Sequence, residues 1–256
     1  MAGSKPKEKH RERKGNIMNQ EWLERVVHDA RNFGLELDRR QMDRFGLYAE
    51  MMVAWNENVN LTAITEDEGI AVKHFVDSLT VLPWVPKGST VVDVGTGAGF
   101  PGIPFAVVRS DLQVTLLDSL DKRVRFLESV TKGLGLKNVR TQHGRAEDFG
   151  RKAGWRENFD VAVARAVAGL PVLLEYCLPF VRIGGLFLAM KGTDMKEEAN
   201  ASGRALQVLG GRIVEIRSFL LPGTDMERNI VVVEKIKPTP KGYPRKSGRP
   251  SREPIQ

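Results

Sequence analysis

Five short, β-rich apolar segments alternate with helical patterns through the middle of this chain, and that rhythm limits the folds open to it. The segments are TVVDVG at 90–95, LQVTLLD at 112–118, NVRTQ at 138–142, FDVAVA at 159–164 and GLFLAM at 185–190. Apolar residues at helical spacing fill the intervals, notably Lys122–Leu134, Val172–Val181 and Lys196–Leu209. Parallel neighbours need crossover connections, so the predicted fold is α/β, a doubly wound and mostly parallel sheet covered on both faces. After Leu209 the alternation stops. GGRIVEIRSFLLPG and RNIVVVEKIK are joined only by a short loop, which predicts a hairpin, seven strands in all, and one antiparallel strand at the end of the sheet. Ahead of the first strand, Asn19–Phe33, Asp38–Trp55 and Glu66–Leu82 read as three helices, with Asp38 as an N-cap and Pro83 as a stop.

The predicted organisation is a basic tail at 1–15, a helical subdomain at 16–87, the sheet domain at 88–236 and a basic, Pro-rich arm at 237–256. Charge follows that division. The net charge is +7, with six Lys/Arg against two Glu in residues 1–15 and seven against one in 235–256, which leaves the chain between them slightly acidic. In the terminal arm Tyr243 stands among cations and prolines. That composition reads either as a solubilising end or as a stiff extended arm for an RNA backbone, and its prolines exclude a long helix. No run of about 18 apolar residues is present, so no membrane-spanning helix is expected. The basic N-terminus has no apolar stretch of the secretory type after it. Cys177, the only cysteine, lies in apolar LLEYCLPF and is expected to be a buried small hydrophobe in a reducing, cytoplasmic setting. No metal centre is expected, and a monomer is the default.

The loop VVDVGTGAGFPGIP, 91–104, follows the first strand and admits two readings. Gly97, Gly99 and Gly102 match the dinucleotide fingerprint of a nicotinamide-dependent oxidoreductase. Pro101 and Pro104, however, remove N–H donors where pyrophosphate would sit, and the terminal hairpin breaks the expected run of βαβ units. The alternative is the methyltransferase form of the doubly wound sheet. There Gly95, Gly97 and Gly99 let the backbone close on the ribose or amino-acid part of S-adenosylmethionine. Asp118 ends the second strand and suits the ribose hydroxyls, while Asp121 suits the cap of the next helix better. In GRAEDF, Glu147 or Asp148 would accept from the adenine amino group with Ala146 against the ring, although acidic residues at a helix start are common. Asp93 reads either as a buried acceptor for N–H groups of the loop or as a contact to the methionine ammonium, the first being favoured with a ligand-assisting role. Arg165 and Lys191 end the fourth and fifth strands and should face one cleft.

What the chain lacks narrows the acceptor. The slot after the fourth strand reads ARAV, without the Asn/Asp-Pro-Pro-aromatic sequence suited to methylating an exocyclic amine. Cys177 lies within a helical pattern, badly placed as a nucleophile toward a pyrimidine carbon. An acceptor that is already nucleophilic remains, such as guanine N7, which has no proton to lose. Orientation and electrostatics then suffice. A reading from another class is a non-catalytic RNA-binding or ribosome-assembly factor on a retained cofactor fold. The intact glycine loop and the strand-end cations weigh against it.

The segments WNENVNLTAIT, KHFVDSL, DVGTGAGFPGIP, LLDSLDKRVRFL, GRAEDF, ARAVA, MKG and RNIVVVEKIKPTPKGYPRKSGRP occur in the order found in one bacterial family. From about Trp22 to Pro250 the chain closely resembles the small-subunit ribosomal RNA methyltransferase G family, also called glucose-inhibited division protein B. The resemblance implies transfer from S-adenosylmethionine to N7 of one guanine in 16S ribosomal RNA, the partner being that RNA or the small ribosomal subunit. It further implies cofactor contacts at Gly95, Phe100, Ala146, Glu147 and Arg165, and activity-linked cations at Arg145, Arg165 and Lys191.

Overall fold

The computed structural model describes residues 20–192 and 195–255, so the basic tail expected at 1–15 lies outside the described residues. Helical spacing at the start of the described chain gives α1 (Gln20–Ala30), a 3-10 turn at Arg31–Phe33, and α2 (Arg39–Val59). Asp38 caps α2: its carboxylate accepts the Gln41 N–H, and the Gln41 side chain accepts the Asp38 N–H in return. The helix expected at Glu66–Leu82 is built of three consecutive pieces, α3 (Asp67–Ile70), a π-helical segment (Ala71–Val76) and α4 (Asp77–Leu79). Such π segments recur at functional sites. Pro83 falls in a short 3-10 turn, Leu82–Trp84.

The sheet then assembles from β1 (Thr90–Val94), α5 (Gly102–Val108), β2 (Gln113–Asp118), α6 (Asp121–Gly133), β3 (Val139–His143), α7 (Ala146–Phe149), β4 (Phe159–Arg165), α8 (Leu170–Cys177) and β5 (Val181–Lys191). α9 (Met195–Ala201), α10 (Gly203–Leu209), β6 (Gly211–Leu220) and β7 (Glu227–Lys235) follow. The single helix expected at Lys196–Leu209 is broken at Ser202, whose hydroxyl donates to the Glu198 carbonyl one turn back, a bond that bends helices. Strand order is β3-β2-β1-β4-β5-β7-β6. β1 to β5 run parallel, and β7 is antiparallel to both β5 and β6. The antiparallel strand is therefore inserted beside β5, and β6 forms the outer edge. The order reverses between β1 and β4, where crossovers leave in opposite directions and open a crevice at the carboxyl ends of the strands.

Each face of the sheet carries its own core. On one, Phe45, Tyr48 and Phe75 of the N-terminal helices join Phe105, Val91, Leu116 and Leu188, so residues 20–84 share their apolar interior with the sheet. On the other, Leu173, Cys177 and Leu209 pack with Val92, Phe187 and Val231. Cys177 is fully buried, and burial pushes its thiol well above the usual range. Among the described residues no helix is long and apolar enough to cross a membrane.

The terminal arm departs from its composition. It is folded back on the body rather than extended. Prolines supply carbonyls without N–H groups, and arginines of the body supply the missing donors. Arg156 donates to the carbonyls of Thr239 and Tyr243 at 2.5 and 2.8 Å, and Arg151 to that of Pro244 at 2.6 Å. Arg245 grips Glu175 through both guanidinium and backbone N–H groups, with Nη2 to Oε2 at 2.6 Å. A one-turn helix, α11 (Arg249–Arg252), closes the arm, with Pro250 in its first turn, where the absent N–H costs nothing. The Glu175 side chain is 1% exposed. Arg245→Ala leaves that carboxylate buried and unpaired and should cost about 3 kcal/mol or more in urea unfolding. Arg249→Ala removes only an exposed pair with Glu253 and should cost less than about 1 kcal/mol.

Candidate cofactor and acceptor site

The loop after β1 is tied down by its own first strand. Asp93 is fully buried in β1, and its Oδ2 accepts from the Thr96 hydroxyl at 2.6 Å and the Gly102 N–H at 2.8 Å. Burial nevertheless raises its carboxyl to about 6, against the lowering effect of those two bonds. Gly95 and Thr96 donate to the Leu117 carbonyl, which fastens the loop to β2. Gly95 has φ 72°, and a Cβ there would stand 2.9 Å from the Val167 side chain beyond β4. At Gly99, φ 100°, a Cβ would meet Ile103 at 2.5 Å and the Tyr48 hydroxyl at 2.7 Å. Glycine is needed at both for conformation and for space.

Three features of this crevice fit a ligand carrying a cation and hydroxyl groups. Asp93 Oδ1 is buried and accepts no hydrogen bond. Nothing lies within 4 Å of where a Gly97 Cβ would stand. Asp118, 3% exposed, accepts the Gly97 N–H at 2.9 Å and the Leu120 N–H at 2.9 Å, and its two oxygens keep lone pairs for further donors. It thus organises the loop as well as facing it. Asp121, expected as the cap of α6, does not cap it; Leu120 holds that position and Asp118 takes its N–H. The start of α5 is a poor phosphate cradle, since Gly102 N–H is already spent on Asp93 and Pro101 and Pro104 have none to offer.

Beyond β3, α7 begins at Ala146. Of the two acids in GRAEDF, Glu147 turns inward and Asp148 is exposed. Glu147 Oε1 accepts the Gly248 N–H of the terminal arm at 2.8 Å, so the arm reaches the expected adenine side of the site. Arg145, just before α7, is exposed, and its guanidinium makes no hydrogen bond or ion pair with the described residues.

A cavity of about 300 Å³ lies where the helical layer meets the ends of β4, β5 and β7. Arg165 and Lys191 both line it, as their strand-end positions predict, while Arg145 does not. Arg165 is followed by Ala166 at φ 52°, a left-handed turn at the strand end. Its guanidinium donates to the Lys73 carbonyl at 3.0 Å and to Asp77 Oδ2 at 3.1 Å. Arg228 of β7 takes Asp77 Oδ1 at 3.0 Å. Lys191 Nζ is held by the Ala168 carbonyl and Glu198 Oε2, both at 2.9 Å. Lys73 and Arg228 add two more cations to the lining.

An aromatic column joins this cavity to the glycine loop. Phe100 stacks on His74 with centroids 4.6 Å apart and on Tyr48 at 5.0 Å, and Arg165 stands 5.2 Å over the Phe100 ring. Tyr48 donates to the Ala98 carbonyl in the loop itself. His74 Nδ1 lies 3.5 Å from Arg165, a pure donor, so Nδ1 is the acceptor and Nε2–H donates to Thr62 Oγ1 at 2.9 Å. Asn56 makes that contact available: its Oδ1 accepts the Leu61 and Thr62 N–H groups and its Nδ2 donates to the Thr62 carbonyl.

Reasoning from residues alone did not assign His74, Asp77, Arg228 and Tyr48. The available signal was KHFVDSL, where a histidine and an aspartate three apart share one helix face. Nothing in sequence spacing links them to Arg228, which is 151 residues from its Asp77 partner.

Comparison with known proteins gives the family and the fold. Residues 41–231 match the family model described as GidB, rRNA small subunit methyltransferase G. The ribosomal RNA small subunit methyltransferase G of Acetivibrio thermocellus is 51% identical over 231 residues, covering 90% of this chain and 95% of that protein. Its namesake from Clostridium perfringens is 50% identical, covering 87% and 94%. Among solved structures, a 16S rRNA (adenine(1408)-N(1))-methyltransferase mutant with cosubstrate SAM from Catenulisporales acidiphilia superposes with a TM-score of 0.50 at 17% identity, over 59% of this chain and 87% of that one. At that identity the likeness speaks for the sheet topology alone.

The neutral state of His74 can be read in solution. Burial, with Arg165 beside it, lowers the imidazole to about 3. An unfolded chain titrates near 6.5. Between those values the unfolded state binds the proton and the folded state does not, so this contribution is present above about pH 6.5 and is lost as pH falls toward 3. Wild type should therefore lose stability relative to His74→Gln by about 1 kcal/mol per pH unit between pH 6 and 4.5, measured by urea unfolding. Parallel curves would mean the ring is not held neutral.

Proposed function

The chain belongs to the rRNA small subunit methyltransferase G family, and on that premise we propose that it transfers the methyl group of S-adenosylmethionine to N7 of a guanine in 16S ribosomal RNA, free or within the small ribosomal subunit. It acts as a cytoplasmic monomer. The observation that carries this reading is a cation-rich acceptor cavity with no free base. Both Asp77 oxygens are held by guanidinium groups, and both His74 nitrogens are engaged in a neutral ring. Among the described residues nothing in the cavity is free to remove a proton. Guanine N7 presents a lone pair and needs no such base.

Gly95, Gly97, Gly99, Phe100, Asp118, Ala146, Glu147 and Arg165 hold the cofactor. Asp118 and Glu147 accept its ribose and adenine donors, and the unpartnered Asp93 Oδ1 faces its ammonium end. When bound, S-adenosylmethionine supplies an electrophilic methyl group on a sulfonium. The protein contributes orientation and field. Lys191, with two of its three donors taken up among the described residues, fixes the guanine, while Arg165 shapes the charge around it. Lys73 and Arg228 meet backbone phosphates at the rim, and Arg145 does so beyond α7.

The test is transfer of labelled methyl to 16S RNA that lacks the modification, offered naked and as the small subunit, followed by digestion and mass spectrometry. A single 7-methylguanosine is expected. Any other methylated nucleoside would overturn the acceptor assignment. Lys191→Ala should lose transfer by about 100-fold while its affinity for S-adenosylhomocysteine stays within about twofold of wild type. A matching loss of that affinity would move Lys191 to the cofactor side.

A further inference from the structure

A second cavity, about 840 Å³, opens between α1 and the β6–β7 hairpin, apart from the glycine loop. Its volume lies within the roughly 300–1,000 Å³ of small-molecule sites. Three half-buried aromatic residues line it: Phe33, Trp84 and Phe219. Phe33 and Phe219 meet edge to face, centroids 6.4 Å apart, and the Trp84 indole is fixed by donating to Glu215 Oε2 at 2.9 Å. Arg25 in the same wall is occupied by Asp29 and by the Pro222 carbonyl. Arg217 is not. It is exposed and lines the cavity, and its guanidinium makes no hydrogen bond or ion pair with the described residues.

The cavity adjoins the acceptor cleft. Phe219 on β6 is the direct cross-strand partner of Arg228 on β7, and Arg228 lines that cleft through its bond to Asp77. Thr80, three residues past Asp77, lines the larger cavity. The Arg228–Asp77 pair and the end of α4 thus contribute to the neighbourhood of both.

We propose that this cavity receives an unpaired nucleotide of the substrate RNA that flanks the methylated guanine, its base among Phe33, Trp84 and Phe219 and its phosphate on Arg217. The inference rests on the RNA reading above and gives the enzyme a second hold on the strand. Single-stranded bases stack on aromatic faces whatever their identity, and a free guanidinium fork matches a phosphate. Holding two nucleotides at a fixed separation reads the shape of the RNA strand, which one cleft alone cannot do.

The experiment measures methyl transfer to whichever RNA form wild type accepts, for Arg217→Ala, Phe219→Ala and, as an edge-strand control, Ile216→Ala. The first two should raise KM for the RNA about tenfold with kcat, S-adenosylhomocysteine affinity and melting temperature held. The control should match wild type. Arg217→Ala should also lower the slope of log affinity against log salt by about 1. Ultraviolet cross-linking of the RNA in the presence of S-adenosylhomocysteine should attach a nucleotide to the peptide holding Trp84 or Phe219. An unchanged KM in Arg217→Ala, or a cross-link from these residues to a protein of the subunit instead, overturns the proposal. Absence of methylation by wild type on either RNA form would instead remove the RNA reading beneath it.

Discussion

One buried carboxylate organises the cavity at the ends of β4, β5 and β7. Asp77 sits at the start of α4 with an arginine on each oxygen, Arg165 from the end of β4 and Arg228 from the start of β7. A single anion thereby ties the N-terminal helices to two strands that lie on opposite sides of β5. Two cations to one anion also leave the cluster net positive, which an anionic substrate requires. Each arginine is held by its own oxygen of a carboxylate that is buried among the helices. Orientation at the cavity is thus set before any substrate arrives.

The same layer reaches the cofactor loop through stacked rings. His74, Phe100 and Tyr48 form one column, and Tyr48 ends it on a carbonyl of the loop. The helices therefore serve the site by contact as well as by covering the sheet. Their apolar interior is continuous with the core around β1, β2 and β5, and a boundary at residue 87 divides the sequence more sharply than it divides the packing.

The architecture was readable because each of its cues is local. Alternation of 2.0- and 3.6-residue periods gave the strands and most helices, and the short link between RIVEIRSFL and RNIVVVEK gave the hairpin. Strand-end position placed Arg165 and Lys191 in one cavity. The misses share a cause: they depend on what meets across distance. Asp77 is one ordinary acid in a helix until β7 brings Arg228 to it. Ser202 splits a helix through a side-chain bond that periodicity cannot register. The terminal arm misleads most, since composition counts its cations and prolines but is blind to the body's arginines that bind its carbonyls and to Glu175, which captures Arg245.

The hydrogen bond from Gly248 to Glu147 also sets an order of events. Chains are made from the N-terminus, and all seven strands are present once Lys235 has been added. Glu147 is in place long before that, but the N–H that meets it comes thirteen residues after the last strand ends. A nascent chain can complete its sheet while Glu147 still lacks this partner. The segment after the last strand, rather than the sheet itself, completes the surroundings of Glu147.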